Sequence, residues 1–200
     1  MKKLVVILML SFGLAVPVSA MQSPQALVQA TSEKMLAKLK ADKQLLEQDP
    51  GRIYELVNKI VLPHFDFEYM SQLVLAKYWR RASAEQRHAF TAEFRTLLVR
   101  TYAKSLSAYT DQAIDFLPFR EVKGDDVTVR TEVEQPGSFP IPIDYRLHQR
   151  GGEWQVFDII IDGVSLVTSY RSSFSREIRK AGIDGLIEKL AQRNKDATGG

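Results

Sequence analysis

Two aspartates, Asp158 and Asp162, are the residues best placed to do chemistry in this chain. They stand four apart in the run WQVFDIIIDGVSL, Trp154 to Leu166, whose first half alternates like a strand. Regular alternation sets both on one face with Trp154, Val156 and Ile160, and apolar surroundings raise a carboxyl pKa toward that of a general base. No second acid, oxyanion donor or nucleophile can be named beside them. Asp158 therefore reads first as a hydrogen-bond partner for a Tyr or Arg of an overlying helix, and Asp162 as part of an exposed strand-to-helix turn. The alternative is an enzyme for a small apolar substrate with Asp158 as general base. Ser165 lacks the second glycine of a G-x-S-x-G elbow and reads as the N-cap of the helix that follows. His64, His88 and His148 are far apart, and none has a partner at ligand spacing, so no metal site and no cofactor are expected. The absence of cysteine excludes disulfides and thiolate metal sites. With no P-loop sequence, any energy input must come from another protein.

The N-terminus has the form of a secretory signal: Lys2 and Lys3, the apolar segment LVVILMLSFGLAV, then Val-Ser-Ala at 18–20. About a dozen apolar residues fall short of the roughly 20 needed to span a bilayer. The expectation is a cleaved leader over 1–20 and one exported domain over 21–200, with no lipidated cysteine to anchor it. Charge points the same way. The chain has 27 basic and 24 acidic residues, and without Lys2 and Lys3 the counts are 25 and 24. A nucleic-acid binder keeps a basic surplus after processing, so no nucleic-acid partner is expected.

The elements that must position these groups change period once. Ser23-Pro24 and Asp49-Pro50 read as helix starts. The second leads into Ile53, Leu56, Val57, Ile60 and Val61, the spacing of a buried stripe that Leu62-Pro63 ends. Asp66 caps a third helix reaching about Tyr78, and Ser83-Ala84-Glu85-Gln86 is a capping box opening the longest helix, to near Asp111. The period then drops to two. Ile114–Val122, Asp126–Gln135, Phe139–Gln149 and Glu153–Ile161 read as strands, with turns at Lys123-Gly124-Asp125, Pro136-Gly137 and Gly151-Gly152. Such short connections force antiparallel neighbours in a meander. Pro140 and Pro142 predict that strand three is unpaired or bulged at its start. A helix over about 165–181, a stop at Gly182 and a helix after Asp184 close the chain. The fold class is α+β: a four-stranded sheet, or larger, packed against N- and C-terminal helices.

The strand over 153–161 carries large apolar groups on both faces: Trp154, Val156 and Ile160 on one, Phe157, Ile159 and Ile161 on the other. Three further elements are rich in bulky side chains. The long helix offers Phe94, Leu98, Tyr102 and Leu106, the sheet offers Phe116, Val129, Tyr145 and Leu147, and the closing helix offers Leu166, Val167, Tyr170 and Phe174. Together they fill a tight core or line an apolar cavity between sheet and helices, and composition does not decide between the two.

The runs YMSQLVL at 69–75, WRRASAEQRHAFTAEFRTLLVRTYAKSL at 79–106, WQVFDIIIDGVSLVTSYRSSF at 154–174 and GIDGLIEKL at 182–190 resemble the MlaC family over nearly the whole chain after the leader. The resemblance implies a nuclear-transport-factor-two-like fold and a monomeric periplasmic phospholipid carrier, not an enzyme. It implies two partners: an inner-membrane ABC transporter with an MCE-domain protein, and an outer-membrane lipoprotein–porin complex. It also implies that Tyr102 and Val164 line the lipid pocket. Asp162 stands where the family pattern has Glu, and Ser169 and Ser173 where Asn and Gln are common.

Overall fold

The computed structural model describes residues 22–107, 113–119, 126–135 and 137–196. The expected leader, the far end of the long helix near Asp111 and the Lys123-Gly124-Asp125 turn lie outside the described residues. Helix α1, Pro24–Ala41, starts as its sequence predicts, with the Ser23 hydroxyl accepting from the Ala26 N–H at 3.2 Å. The pattern gave no sign of α2, Lys43–Gln48, which buries no residue. Asp49-Pro50 does not open the next helix directly. The Asp49 carboxylate accepts from the Gly51 N–H at 3.0 Å, and this turn delays α3 to Arg52–Ile60.

A 3-10 turn at Leu62–His64 leads to α4, Phe67–Leu75, capped by Asp66 through the Tyr69 N–H at 2.9 Å. Helix α4 stops before Tyr78, because Ala76 takes a φ of 49° and a 3-10 segment, Ala76–Arg81, follows. The capping box before α5, Ala84–Ser107, is reciprocal: the Gln86 N–H donates to the Ser83 hydroxyl at 3.1 Å and the Ser83 N–H donates to the Gln86 carbonyl oxygen at 3.0 Å. Ser83→Ala is expected to cost about 1 kcal/mol. In a domain of this size calorimetry should then show a Tm about 2–4 °C lower.

Five antiparallel strands follow in sequence order: β1 Ile114–Phe116, β2 Asp126–Val133, β3 Ile141–Arg150, β4 Glu153–Ile161 and β5 Val164–Ser165. The meander is as expected, with one strand more. The expected strand three is unpaired at its start: Phe139 and Pro140 lie outside the ladder, and pairing begins at Ile141 and Pro142, in register with Val133 and Glu132, with the Pro142 carbonyl accepting from the Asp162 N–H. The bulge lies further along. Arg146 pairs with Asp158 and Leu147 with Val156, so Phe157 on β4 has no partner and forms a bulge.

That extra residue changes which side chains share a face. Val156 and Ile159 both turn toward a cluster with Val28, Val127, Val129 and Leu147, while Phe157 joins the helical core with Met70, Phe90, Phe94 and Phe174. The free edge of β4 is covered twice: β5 pairs with Ile160 and Ile161, and Phe65 bridges to Val156 with the Asp66 N–H donating to the Val156 carbonyl at 3.0 Å. The closing helix α6, Leu166–Asp196, is a single run broken at Gly182, whose φ of 75° supplies the expected stop.

Candidate functional site

A cavity of about 460 Å³ lies between the sheet and helices α1, α3 and α5. Helix α1 gives it one wall through Val28, Thr31, Met35 and Leu39, an i, i+3, i+7, i+11 stripe. Val57, Leu62 and Phe65 continue the lining, and α5 adds Leu98, Val99, Tyr102, Ala103 and Leu106. The sheet contributes Val133, Ile141, Ile143, Tyr145, Ile159 and Ile161. Polar side chains are sparse among them, and two are tuned toward neutrality. Burial, followed by the nearby Lys34, lowers the His64 pKa against the pull of Glu153, so its ring is held uncharged near neutral pH. The Tyr102 phenol is pushed up to about 12, chiefly by burial and then by the Tyr170 hydroxyl. Both shifts keep charge out of the lining.

Of the thirteen residues the sequence singles out, Leu98, Tyr102, Leu106, Tyr145 and Leu166 face this cavity. Phe94, Val167, Tyr170 and Phe174 pack into the helical core instead, where the Phe94 ring lies 5.3 Å from Tyr170 and 6.0 Å from Phe174. The reason is the pitch of α5. Each step of four residues advances about 40° round the helix, so a stripe that begins in the core at Phe90 and Phe94 has turned to the cavity by Tyr102 and Leu106. Val129 and Leu147 are buried in a cluster with the lining residues Val28 and Val156, and Phe116 packs against it. Val164 stands at the surface on β5, 56% exposed.

The sequence pattern missed the α1 wall and put Ile159 and Ile161 on the face opposite Val156. The α1 stripe was visible in its spacing. The bulge that reassigns Ile159 and Ile161 has no local signature.

Asp158 is 2% exposed and lies outside the lining. Its partners are not a Tyr or Arg side chain of an overlying helix. One oxygen accepts from the Ser165 hydroxyl at 2.7 Å and the other from the Val167 N–H at 3.1 Å. Ser165 in turn accepts from the Thr168 N–H at 3.1 Å, so the Asp and Ser of this motif together cap α6. Arg146, on the neighbouring strand, lies 3.9 Å from Asp158 and over the Phe157 ring at 4.8 Å. Asp162 and Gly163, at φ of 49° and 75°, form the tight turn into β5 that Asp-Gly favours. Asp158→Asn keeps the shape but weakens charge-assisted bonds, and should cost about 2 kcal/mol in urea titration.

A five-stranded antiparallel sheet with flanking helices around an apolar chamber defines an α+β ligand-binding scaffold. The sequence profile described as MlaC protein matches residues 29–192. The chain is 32% identical over 175 residues to the intermembrane phospholipid transport system binding protein MlaC of Haemophilus influenzae, covering 85% of this chain and 81% of that one. It is 29% identical over 185 residues to the toluene tolerance protein ttg2D of Pseudomonas putida, covering 89% and 86%. The phospholipid-binding protein from Ralstonia solanacearum, solved in complex with a phospholipid, superposes with a TM-score of 0.82 at 32% identity, covering 88% of this chain and 99% of that one. The chain belongs to the MlaC family.

Proposed function

We propose that this protein is a soluble periplasmic phospholipid carrier that holds acyl tails in the apolar cavity and leaves the headgroup in water. The observation that carries this reading is the cavity itself, walled almost wholly by apolar side chains. The α1 stripe from Val28 to Leu39 runs about 16 Å at 1.5 Å per residue. One leaflet of a bilayer's hydrocarbon core, the space a tail normally occupies, is about 15 Å deep. The relatives named for phospholipid transport and the lipid-bound structural relative support the same ligand.

The energetics fit a carrier. Burying a methylene is worth about 0.8 kcal/mol, so two tails of about fifteen methylenes hold a lipid in its bilayer by roughly 24 kcal/mol gross. A cavity of similar dryness offsets most of that loss in transit. Transfer is then nearly balanced, and the partners at each end set its direction. Family membership supports two partners, an inner-membrane ABC transporter with an MCE-domain protein and an outer-membrane lipoprotein–porin complex. It equally supports a leader cleaved before Met21. Among the described residues no helix is long and apolar enough to cross a membrane. No catalytic step is needed, and Asp158 spends both oxygens on capping α6.

The test is direct. The processed protein, purified from the periplasm without detergent and extracted with organic solvent, should yield phospholipid by mass spectrometry. Repeated preparations free of phospholipid would overturn the reading.

A further inference from the structure

At the β2–β3 hairpin end, one face of the sheet lines the cavity, and the reverse face is half-buried to exposed among the described residues. Ile114, Val133, Ile141, Ile143 and Ile161 face the cavity, so alternation puts Asp115, Glu132 and Asp144 on the reverse side, with Glu134 and Asp162 one residue past the ends of β2 and β4. Helices α4 and α6 pack further along that side, where His148 meets Tyr69 and Phe157 and where Asp158, in the middle of β4, caps α6. Asp115 and Glu132 are direct cross-strand partners, an arrangement that destabilises a sheet. Among the described residues none of the five carboxylates has an ion pair within 4 Å, and the cation in register with them is Arg130, opposite Asp144.

The same end carries the most exposed large apolar side chains of the described chain. Phe139, two residues before β3, is 90% exposed, and Val164, paired with Ile161, is 56% exposed. Asp162 donates its N–H to the Pro142 carbonyl at 3.0 Å, tying the two together. A repelling charge pair and bare apolar groups in one place break local rules with no gain inside the fold, which marks a surface kept for contact.

We propose that this hairpin face docks a protein partner that presents lysine and arginine side chains around an apolar socket for Phe139. The partner's cations relieve the repulsion between Asp115 and Glu132, and the socket takes the exposed ring out of water. Leu106, Ile114, Ile141 and Ile161, half-buried at this end of the lining, make the surface continuous with the cavity's edge. A bilayer is the weaker fit, because anionic headgroups give membranes a negative surface potential that these carboxylates oppose. The proposal rests on the carrier reading for the reason a partner meets the protein at this edge.

The experiment uses the full chain, exported in cells, with photoreactive benzoyl-phenylalanine in place of Phe139. Illumination should join it to a partner whose cross-linked segment is rich in Lys and Arg. In the E132K/E134K double variant the yield should fall by about tenfold or more, and the E132Q/E134Q variant should fall between. Neither variant should unfold at a lower temperature, since each removes like-charge repulsion; a merely structural role predicts a loss of stability instead. Yield unchanged by charge reversal overturns the proposal, as does cross-linking confined to lipid, to a second copy of this chain, or to nothing. Phospholipid extracted from the same preparations reads the carrier function separately. An unmodified protein without lipid defeats that function alone, and the cross-linking result still decides the docking face.

Discussion

Tyr102→Glu should leave the protein folded and all but empty, with less than about a tenth of the wild-type phospholipid content. Tyr102 is half-buried on α5, among the apolar lining and beside Tyr170. In the ligand-free protein a carboxylate here can draw water through the partly open end of the cavity, so the fold survives. An acyl tail displaces that water and leaves an unpaired charge in apolar surroundings, a penalty of several kcal/mol. Each 1.4 kcal/mol is a factor of ten in affinity. Tyr102→Phe, which loses only the hydroxyl contact to Tyr170, should keep its lipid. Circular dichroism with mass spectrometry of extracted lipid separates the outcomes. Wild-type occupancy in Tyr102→Glu would remove α5 from the binding wall.

The largest loss of stability should come from Asp66→Ala, at about 3 kcal/mol. Asp66 is 4% exposed and does three things at once. It caps α4 through the Tyr69 N–H, accepts two bonds from Arg150 at 2.7 Å, and lies 3.1 Å from the His148 ring, which stacks on Tyr69. Each 1 kcal/mol lowers Tm by about 2–4 °C in a domain of this size, so the fall should be about 6–12 °C.

The pH dependence has a definite sign. Burial pushes the Asp66 carboxyl up, but the Tyr69 N–H and Arg150 outweigh it and hold it below the usual carboxylate range. A depressed carboxyl stabilises fully above its unfolded pKa, about 3.9. That contribution is lost as pH falls through the folded value. Urea titrations should therefore show a smaller gap between wild type and Asp66→Ala at pH 3 than at pH 7. The neighbours on either side, Phe65 and Phe67, stack at 5.7 Å and both line the cavity. The variant should accordingly also carry less lipid.

Helix starts and strands were readable because their causes are local. Ser23, Asp66 and Ser83 cap helices through their own side chains, and Gly182 breaks α6 by its backbone freedom. Glu153–Ile161 is a strand with the bounds its alternation predicts. What the sequence hid is tertiary. Ala76 ends α4 early with no proline or glycine to announce it. Phe94 and Tyr102 belong to one apolar stripe, and only the packing of α4 and α6 against α5 shows where core gives way to cavity. Asp158 was read as bonding to an overlying helix, yet its partners lie within seven to nine residues along the chain. Its role was local and still invisible, because the Asp-Gly turn had first to fold the strand back on itself.

The unpaired Phe157 answers how one strand can be greasy on both sides in so small a protein. Below it, β4 serves the chamber through Val156; at it, the ring crosses to the helices; beyond it, Ile159 and Ile161 return to the chamber. The interior is thus partitioned by one surplus position in the ladder rather than by a second layer of chain. Losing that position would exchange the tenants of the two compartments, emptying one of its lining and crowding the other, a disturbance no single side-chain swap could match.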